Sequence, residues 1–298
     1  GDLRWADRAE WLYYNAAHGA VNPCKSQIAY CKSDNSYAMN GHAGGRGSEN
    51  DLRYKYSPAH QDVAVCCAPN AGRVLPYFTG SMYMKSSHGL LVTLYGPSRV
   101  ETSVDGIAVT LEQITSYPFD LNIELRVTAA VRSDFKILLK KPFWAEKMKV
   151  EAVGAKIEDY VDSIAVSKDW KQDRILIEFT GRINERLDLK GEVYYSYGPL
   201  LYAMEIESIE KTGRLYGKGF EDSLFLPRDR SCLELCATEK TLESLTVSSD
   251  KHSGDFTDPP LVSGKFLDRR SGEEKTVSLK PIGSTILRKT TFKKCTFL

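Results

Sequence analysis

Apolar residues recur at helical spacing near the start of the chain and at strand spacing over most of the rest. Trp5, Ala9, Leu12, Tyr13 and Ala16 place residues 1–20 on one amphipathic helix, with Gly19 as its stop. After His60-Gln61-Asp62 a second helical pattern covers residues 60–85. The period changes at Gly89. Leu90-Leu91-Val92-Thr93-Leu94-Tyr95, the alternation from Thr102 to Gln113 around Asp105-Gly106, Ile123–Val127 and Lys136–Lys140 all read as short strands. Lys149–Val153, Ser163–Val166 and Arg174–Phe179 continue the series. Strands at 8–12-residue spacing with turn signals predict a β-sandwich or jelly roll.

After a strand at Tyr197–Met204, residues 208–223 are polar and Gly-rich and read as a crossover or linker. Strands resume at Cys232–Ala237, Leu242–Val247, Leu261–Phe266, Lys275–Leu279 and Ile286–Phe292, which predicts a second, smaller sandwich. Residues 32–57, with Gly41, Gly44, Gly45 and Gly47, read as one long loop. It is not a phosphate loop, because no Gly-x-x-x-x-Gly-Lys-Ser/Thr pattern is present. The fold class is therefore α+β and multidomain. Residues 1–84 form a helical segment, 85–200 a β-sandwich domain and 201–298 a second one.

Composition narrows the partners. Hydrophobic residues make up 42% of the 298, enough for real cores, and the formal net charge of +1 asks for neither nucleic acid nor an anionic membrane. No apolar run approaches the roughly 18 residues of a membrane helix. Gly1-Asp2-Leu3-Arg4-Trp5 is not a signal peptide. The compartment stays open between cytoplasm and periplasm, and a homodimer stays open as the assembly. The seven cysteines are not the disulfide framework of a small secreted domain. Cys232 and Cys236 suit either a metal pair or the core. Phe143 and Trp144, between strands, suit either sugar stacking or core packing.

The chemistry gathers at Val65-Cys66-Cys67-Ala68-Pro69-Asn70-Ala71-Gly72-Arg73. Pro69 fits a first helical turn, where a missing N–H costs nothing. Cys66 and Cys67 then sit at a helix N-terminus, a favourable place for a negatively charged sulfur. Such a sulfur ligates zinc or attacks carbon. Buried cysteines also serve simply as small hydrophobes. His60, six residues before Cys66, and His42, in the long loop, are the candidates to line a substrate site; a solvated loop histidine is the plainer role for His42.

This stretch resembles the Cys-Cys-x-Pro-Asn-x-x-Arg signature of the β-L-arabinofuranosidases, glycoside hydrolase family 127 and its relatives. Gly1–Asp7 with Leu12-Tyr13-Tyr14-Asn15, Gly89–Tyr95 and Tyr197-Gly198-Pro199-Leu200-Leu201-Tyr202-Ala203 resemble further parts of the family in the same order. The resemblance implies a zinc-supported cysteine nucleophile and retention of configuration. Cys66 matches the nucleophile, and Cys66 and Cys67 match zinc ligands. The substrate class it implies is an arabinose-containing glycan. Residues 1–84 match the last part of an (α/α)6 barrel. The family's Glu-x-Cys segment and its acid/base glutamate lie before the part matched here. The chain is thus expected to be the C-terminal portion of a longer enzyme, to need the upstream part of the barrel as its partner, and to be inactive alone. Two other readings stand beside it: a non-catalytic carbohydrate-binding or scaffolding β-sandwich module, and a protein in which zinc on Cys66 and Cys67 only staples the fold.

Overall fold

The computed structural model describes residues 2–30, 32–42, 53–59, 66–87, 89–248 and 254–295. Helix α1 spans Arg4–Trp11, a π-helical turn covers Leu12–Ala17, and α2 is His18–Ala20. Helix α3 runs Cys67–Gly80, and α4 is the single turn Thr241–Ser244. The apolar stripe expected to be buried on residues 1–20 faces solvent. Trp5 and Leu12 are 67% and 58% exposed, and Ala9 and Ala16 are exposed as well. The buried positions are Glu10, Tyr14, Asn15 and Gly19. Polar groups go inside here because each buried Glu or Asn finds hydrogen-bond partners, without which burial would cost several kcal/mol.

The chain packs as two compact units, one made of Gly1–Trp11 and Leu75–Arg182, the other of Leu12–Val74 and Ile183–Leu298. In the first unit the strands are β1 Tyr83–Ser86, β2 Gly89–Val92, β3 Ser98–Val104, β4 Ile107–Ile114, β5 Asn122–Lys140, β6 Lys147–Glu151, β7 Lys156–Asp159 and β8 Ser163–Thr180. Among the described residues they make one eight-stranded sheet in the order β1-β2-β5-β4-β3, with β8 beside β5 and both β6 and β7 on β8. Two pairs of short runs read from the sequence are thus two long strands. Their pairing shifts register between Thr128 and Ser133, so one half of β5 lies against β4 and the other against β2. Ile123, Leu125, Val127, Ile137, Leu139, Ile175 and Ile177 bury one face, each contributing about 1.5–3 kcal/mol by leaving water. Gly89 has φ 144°, and a Cβ there would stand 1.9 Å from the Lys136 carbonyl oxygen, so no side chain fits where β2 meets β5.

This unit holds α1 through ionisable groups. The Glu10 carboxylate accepts hydrogen bonds from the Tyr117 hydroxyl at 2.8 Å and Trp144 Nε1 at 3.3 Å, with Lys140 Nζ at 4.0 Å. Lys140 reaches Asp7 at 2.5 Å, and its carbonyl accepts from Tyr95 at 2.6 Å. Trp144 is therefore a core residue; Phe143 is half-exposed and lies edge-on to Trp11 at 6.0 Å.

In the second unit β9 Ile183–Leu187, β10 Val193–Tyr197, β11 Leu200–Ile206, β14 Leu235–Cys236, β15 Thr246–Val247, β16 Val262–Asp268, β17 Glu274–Pro281 and β18 Leu287–Lys289 form the other eight-stranded sheet, in the order β14-β16-β17-β11-β10-β9 with β15 on β16 and β18 on β11. Residues 208–223, expected to be a linker, belong to a two-stranded ribbon, β12 Ser208–Gly217 with β13 Phe220–Pro227. The run Leu242–Val247 is α4 followed by the short β15 rather than one strand. The stretch 32–57 is more than a loop where it is described. Met39, Tyr54 and Tyr56 join Ala29, Ile206, Phe225 and Leu287 in one buried cluster, and Met39 and Tyr56 bridge to Phe225 and Ser223.

Polar anchors in this unit engage backbone. Asn15 donates to the Pro199 carbonyl at 2.8 Å and accepts from the Leu201 N–H at 2.7 Å. Arg288, almost wholly buried, donates to the carbonyls of Asp34, Gly19, Ile282 and Ser33 at 2.8–3.2 Å. None of the helices among the described residues is long and apolar enough to cross a membrane.

Candidate active site

The head of α3 is built by the residues the sequence singled out. The Cys66 carbonyl accepts the first helical hydrogen bond from Asn70 N–H at 3.4 Å and a second from Asn70 Nδ2 at 2.8 Å, so Cys66 is the N-cap residue. Pro69 is the third helical residue, where its missing donor is not needed. The Cys67 N–H, at the helix start, donates to the Tyr30 hydroxyl at 3.2 Å. Cys66 is exposed and Cys67 half-buried. Arg73 is exposed one turn on, with Nη1 3.5 Å from Asn70 Oδ1.

The two sulfurs stand 3.8 Å apart. A tetrahedral zinc with Zn–S of about 2.3 Å separates two of its sulfur ligands by about 3.8 Å. The pair therefore fits one edge of a zinc tetrahedron. Among the described residues no cluster of three or more His, Cys, Asp or Glu could complete the remaining corners.

His42 is exposed, and its N–H donates to Asn40 Oδ1 at 3.1 Å. His60 lies outside the described residues. Cys232 and Cys236 are on a 3-10 turn and on β14; Cys236 is fully buried, as a core residue would be. Two of the stretches compared with the family do meet: Asn15 of the Leu12–Asn15 stretch clamps Pro199 and Leu201 of the Gly-Pro-Leu strand. Tyr30 is the participant that sequence reasoning missed. It carries no motif and comes to Cys67 only through the fold; Asn70 was visible inside the motif.

A vicinal thiol pair at a helix head, within a chain that is mostly β-sheet, defines the class: a thiol-bearing site on a β-rich multi-unit protein. Comparisons with known proteins narrow it. Residues 89–180 match the family model described as the β-L-arabinofuranosidase GH127 middle domain. The whole fold resembles a GH127 β-L-arabinofuranosidase from Geobacillus stearothermophilus T6, with TM-score 0.71 and 18% identity over 99% of this chain and 47% of that one. It is equally similar to a GH127 β-arabinofuranosidase (0.71, 18% identity, 99% and 46% covered) and to a protein described as a glycoside hydrolase (0.70, 16%, 99% and 49%). The chain thus spans about half the length of the structures it matches. No curated protein sequence matches it.

Proposed function

We propose that the chain is part of a retaining glycoside hydrolase that releases L-arabinofuranose from arabinose-containing glycans, with Cys66 as nucleophile. The observation that carries this reading is the sulfur pair 3.8 Å apart at the head of α3, in a chain with the fold of β-L-arabinofuranosidases. On this reading Cys66 and Cys67 hold zinc, which would keep a coordinated sulfur anionic at neutral pH. The Cys66 sulfur bonds to the anomeric carbon as the glycosidic C–O bond breaks. The leaving oxygen takes a proton from a glutamic acid outside the residues present here. Water then attacks the same carbon, gives its proton to that glutamate and releases the sulfur; two inversions leave the configuration retained. Asn70 and Tyr30 hold the two cysteine backbones in place during both steps.

Residues 1–84 then supply the last helices of an (α/α)6 barrel, and the strands Tyr83–Thr180 and Ile183–Lys289 belong to two β-rich units. The exposed stripe Trp5, Ala9, Leu12 and Ala16 supports a helical partner upstream, because an amphipathic helix buries its stripe. Without that partner the chain lacks a proton donor and does not turn over.

In the full-length protein, Cys66→Ser is expected to lower turnover of an activated β-L-arabinofuranoside by at least about 1,000-fold. Cys67→Ser is expected to lose zinc first and activity with it, read by metal analysis. Full turnover by Cys66→Ser would sink the nucleophile assignment. One observation favours a second reading, a glycan-binding module. A groove of about 580 Å³ in the first unit offers Asn122, Glu124, Lys149 and Glu178 around the apolar Ile114 and Leu176. Arabinan retention without cleavage by the full-length protein would select it.

A further inference from the structure

Cys66 and Cys67 are neighbours in sequence, and their sulfurs stand 3.8 Å apart. Cys66 faces solvent and Cys67 is half-buried, so an oxidant meets Cys66 first. The peptide between them is only loosely part of α3. Its carbonyl accepts from the Asn70 N–H at 3.4 Å and from Asn70 Nδ2 at 2.8 Å, and its N–H goes to the Tyr30 hydroxyl at 3.2 Å. A sulfur–sulfur bond is about 2.05 Å long, so the two atoms must close by about 1.8 Å. Neighbouring Cα atoms lie about 3.8 Å apart, short of the roughly 4.4–6.8 Å usual between linked cysteines. A bond between these sulfurs therefore turns the 66–67 peptide against its Tyr30 and Asn70 partners. That strain, and the exposure of Cys66, make the bond easy to reduce again.

We propose that peroxide joins Cys66 to Cys67 in a reversible disulfide, and that this bond switches the site off by taking both sulfurs from zinc at once. The Cys66 thiolate attacks one oxygen of hydrogen peroxide and the O–O bond breaks. Cys66 becomes a sulfenic acid, and the departing hydroxide takes up the proton that Cys66 gave away. The Cys67 sulfur then attacks the Cys66 sulfur, and the hydroxide it expels takes the Cys67 proton. Two thiols are oxidised to one disulfide, and peroxide is reduced to two waters. A small-molecule thiol reverses the step by exchange. The bond itself follows from the sulfur geometry; its effect on zinc and turnover rests on the reading of Cys66 and Cys67 under Proposed function.

Hydrogen peroxide is the probe, applied to the reduced, zinc-free full-length protein. Free thiols are then alkylated and a tryptic digest made without reductant is analysed by mass spectrometry. Cleavage after Lys55 and Arg73 leaves both cysteines in one peptide, residues 56–73. The expected result is that peptide two hydrogens lighter than its reduced form and without alkyl groups. Metal analysis should show zinc uptake lowered at least about tenfold, and dithiothreitol should restore both thiols and the uptake. Cys67→Ser, a half-buried position, leaves Cys66 without its resolving sulfur. Peroxide should take that variant on to a sulfinic acid that dithiothreitol does not reverse. Sulfinic acid on Cys66 of the wild type would overturn the proposal, as would a link from either sulfur to a third cysteine or undiminished zinc uptake by the linked protein. Lost turnover in Cys66→Ser beside a wild type that never links would overturn the switch and leave the hydrolase reading standing. The link together with full turnover by Cys66→Ser would support the bond and overturn the nucleophile.

Discussion

The two units anchor their share of residues 1–20 by opposite means. Around α1 the anchoring groups are ionic side chains, the part-exposed Asp7 and the buried Glu10 gathered on the buried Lys140. Around the π-helical turn and α2 they are an amide and a guanidinium set on backbone carbonyls and one N–H. Burial holds the Glu10 carboxyl above the ordinary 4.5, against the pull of the Lys140 charge and the Tyr117 and Trp144 hydrogen bonds; the Asp7 charge adds to the rise. A carboxyl raised in the fold adds stability below its unfolded value, and that stability is lost as pH rises through the folded one. Backbone carbonyls do not titrate, and an arginine stays charged. The first anchor therefore weakens from about pH 4.5 upward; the backbone-bound groups of the second do not titrate there, while His18 of α2, held down to about 4 by burial, adds stability as pH rises from about 4 to 6.5.

The largest effect expected is in the second anchor. Arg288→Met takes the guanidinium away from four carbonyls, those of Gly19 and Ile282 buried and those of Ser33 and Asp34 part-buried, and should cost about 4 kcal/mol in urea unfolding. A loss below about 1 kcal/mol would mean that water replaces the guanidinium. In the first anchor, Lys140→Met strands two carboxylates and should cost about 3 kcal/mol at neutral pH. Adding Glu10→Gln should return part of that loss; strict additivity in the double-mutant cycle would show that the two groups do not interact. Asn15→Ala removes two buried hydrogen bonds for about 2 kcal/mol, equally at pH 5 and pH 8, and a pH-dependent cost would break the contrast. Glu10→Gln is the smallest, under about 1 kcal/mol at acid pH. Its signature is the slope: the decline in stability above about pH 4.5 should flatten, and an unchanged slope would acquit Glu10.

The same residues show what a sequence can and cannot disclose. Strands of the first unit were legible because Ile123, Leu125 and Val127 alternate with polar neighbours on a half-buried sheet. Their continuity was not, since Arg132-Ser133-Asp134 follow the register shift and interrupt the alternation. Residues 208–223 read as a linker because most of them face water and no buried side prints a period-two pattern. Helicity of residues 1–20 was legible and the buried side was not. Periodicity finds where apolar residues lie, whereas Glu10 and Asn15 go inside for partners more than 100 residues away. Adjacent cysteines at a helix head followed from Pro69, a local rule; Tyr30, held there by tertiary structure alone, had no local sign.

The parallel pairing of β2 with β5 also constrains the order in which the first unit can form. Gly89–Val92 hydrogen-bonds to Lys136–Leu139, on the far side of the β3–β4 hairpin in sequence. A chain made from its N-terminus must complete that hairpin and most of β5 before β2 has any partner except β1. Contacts of such long sequence separation close late and slowly. The β1–β2 pair thus waits on β5 and cannot dock before Lys136–Leu139 are in place.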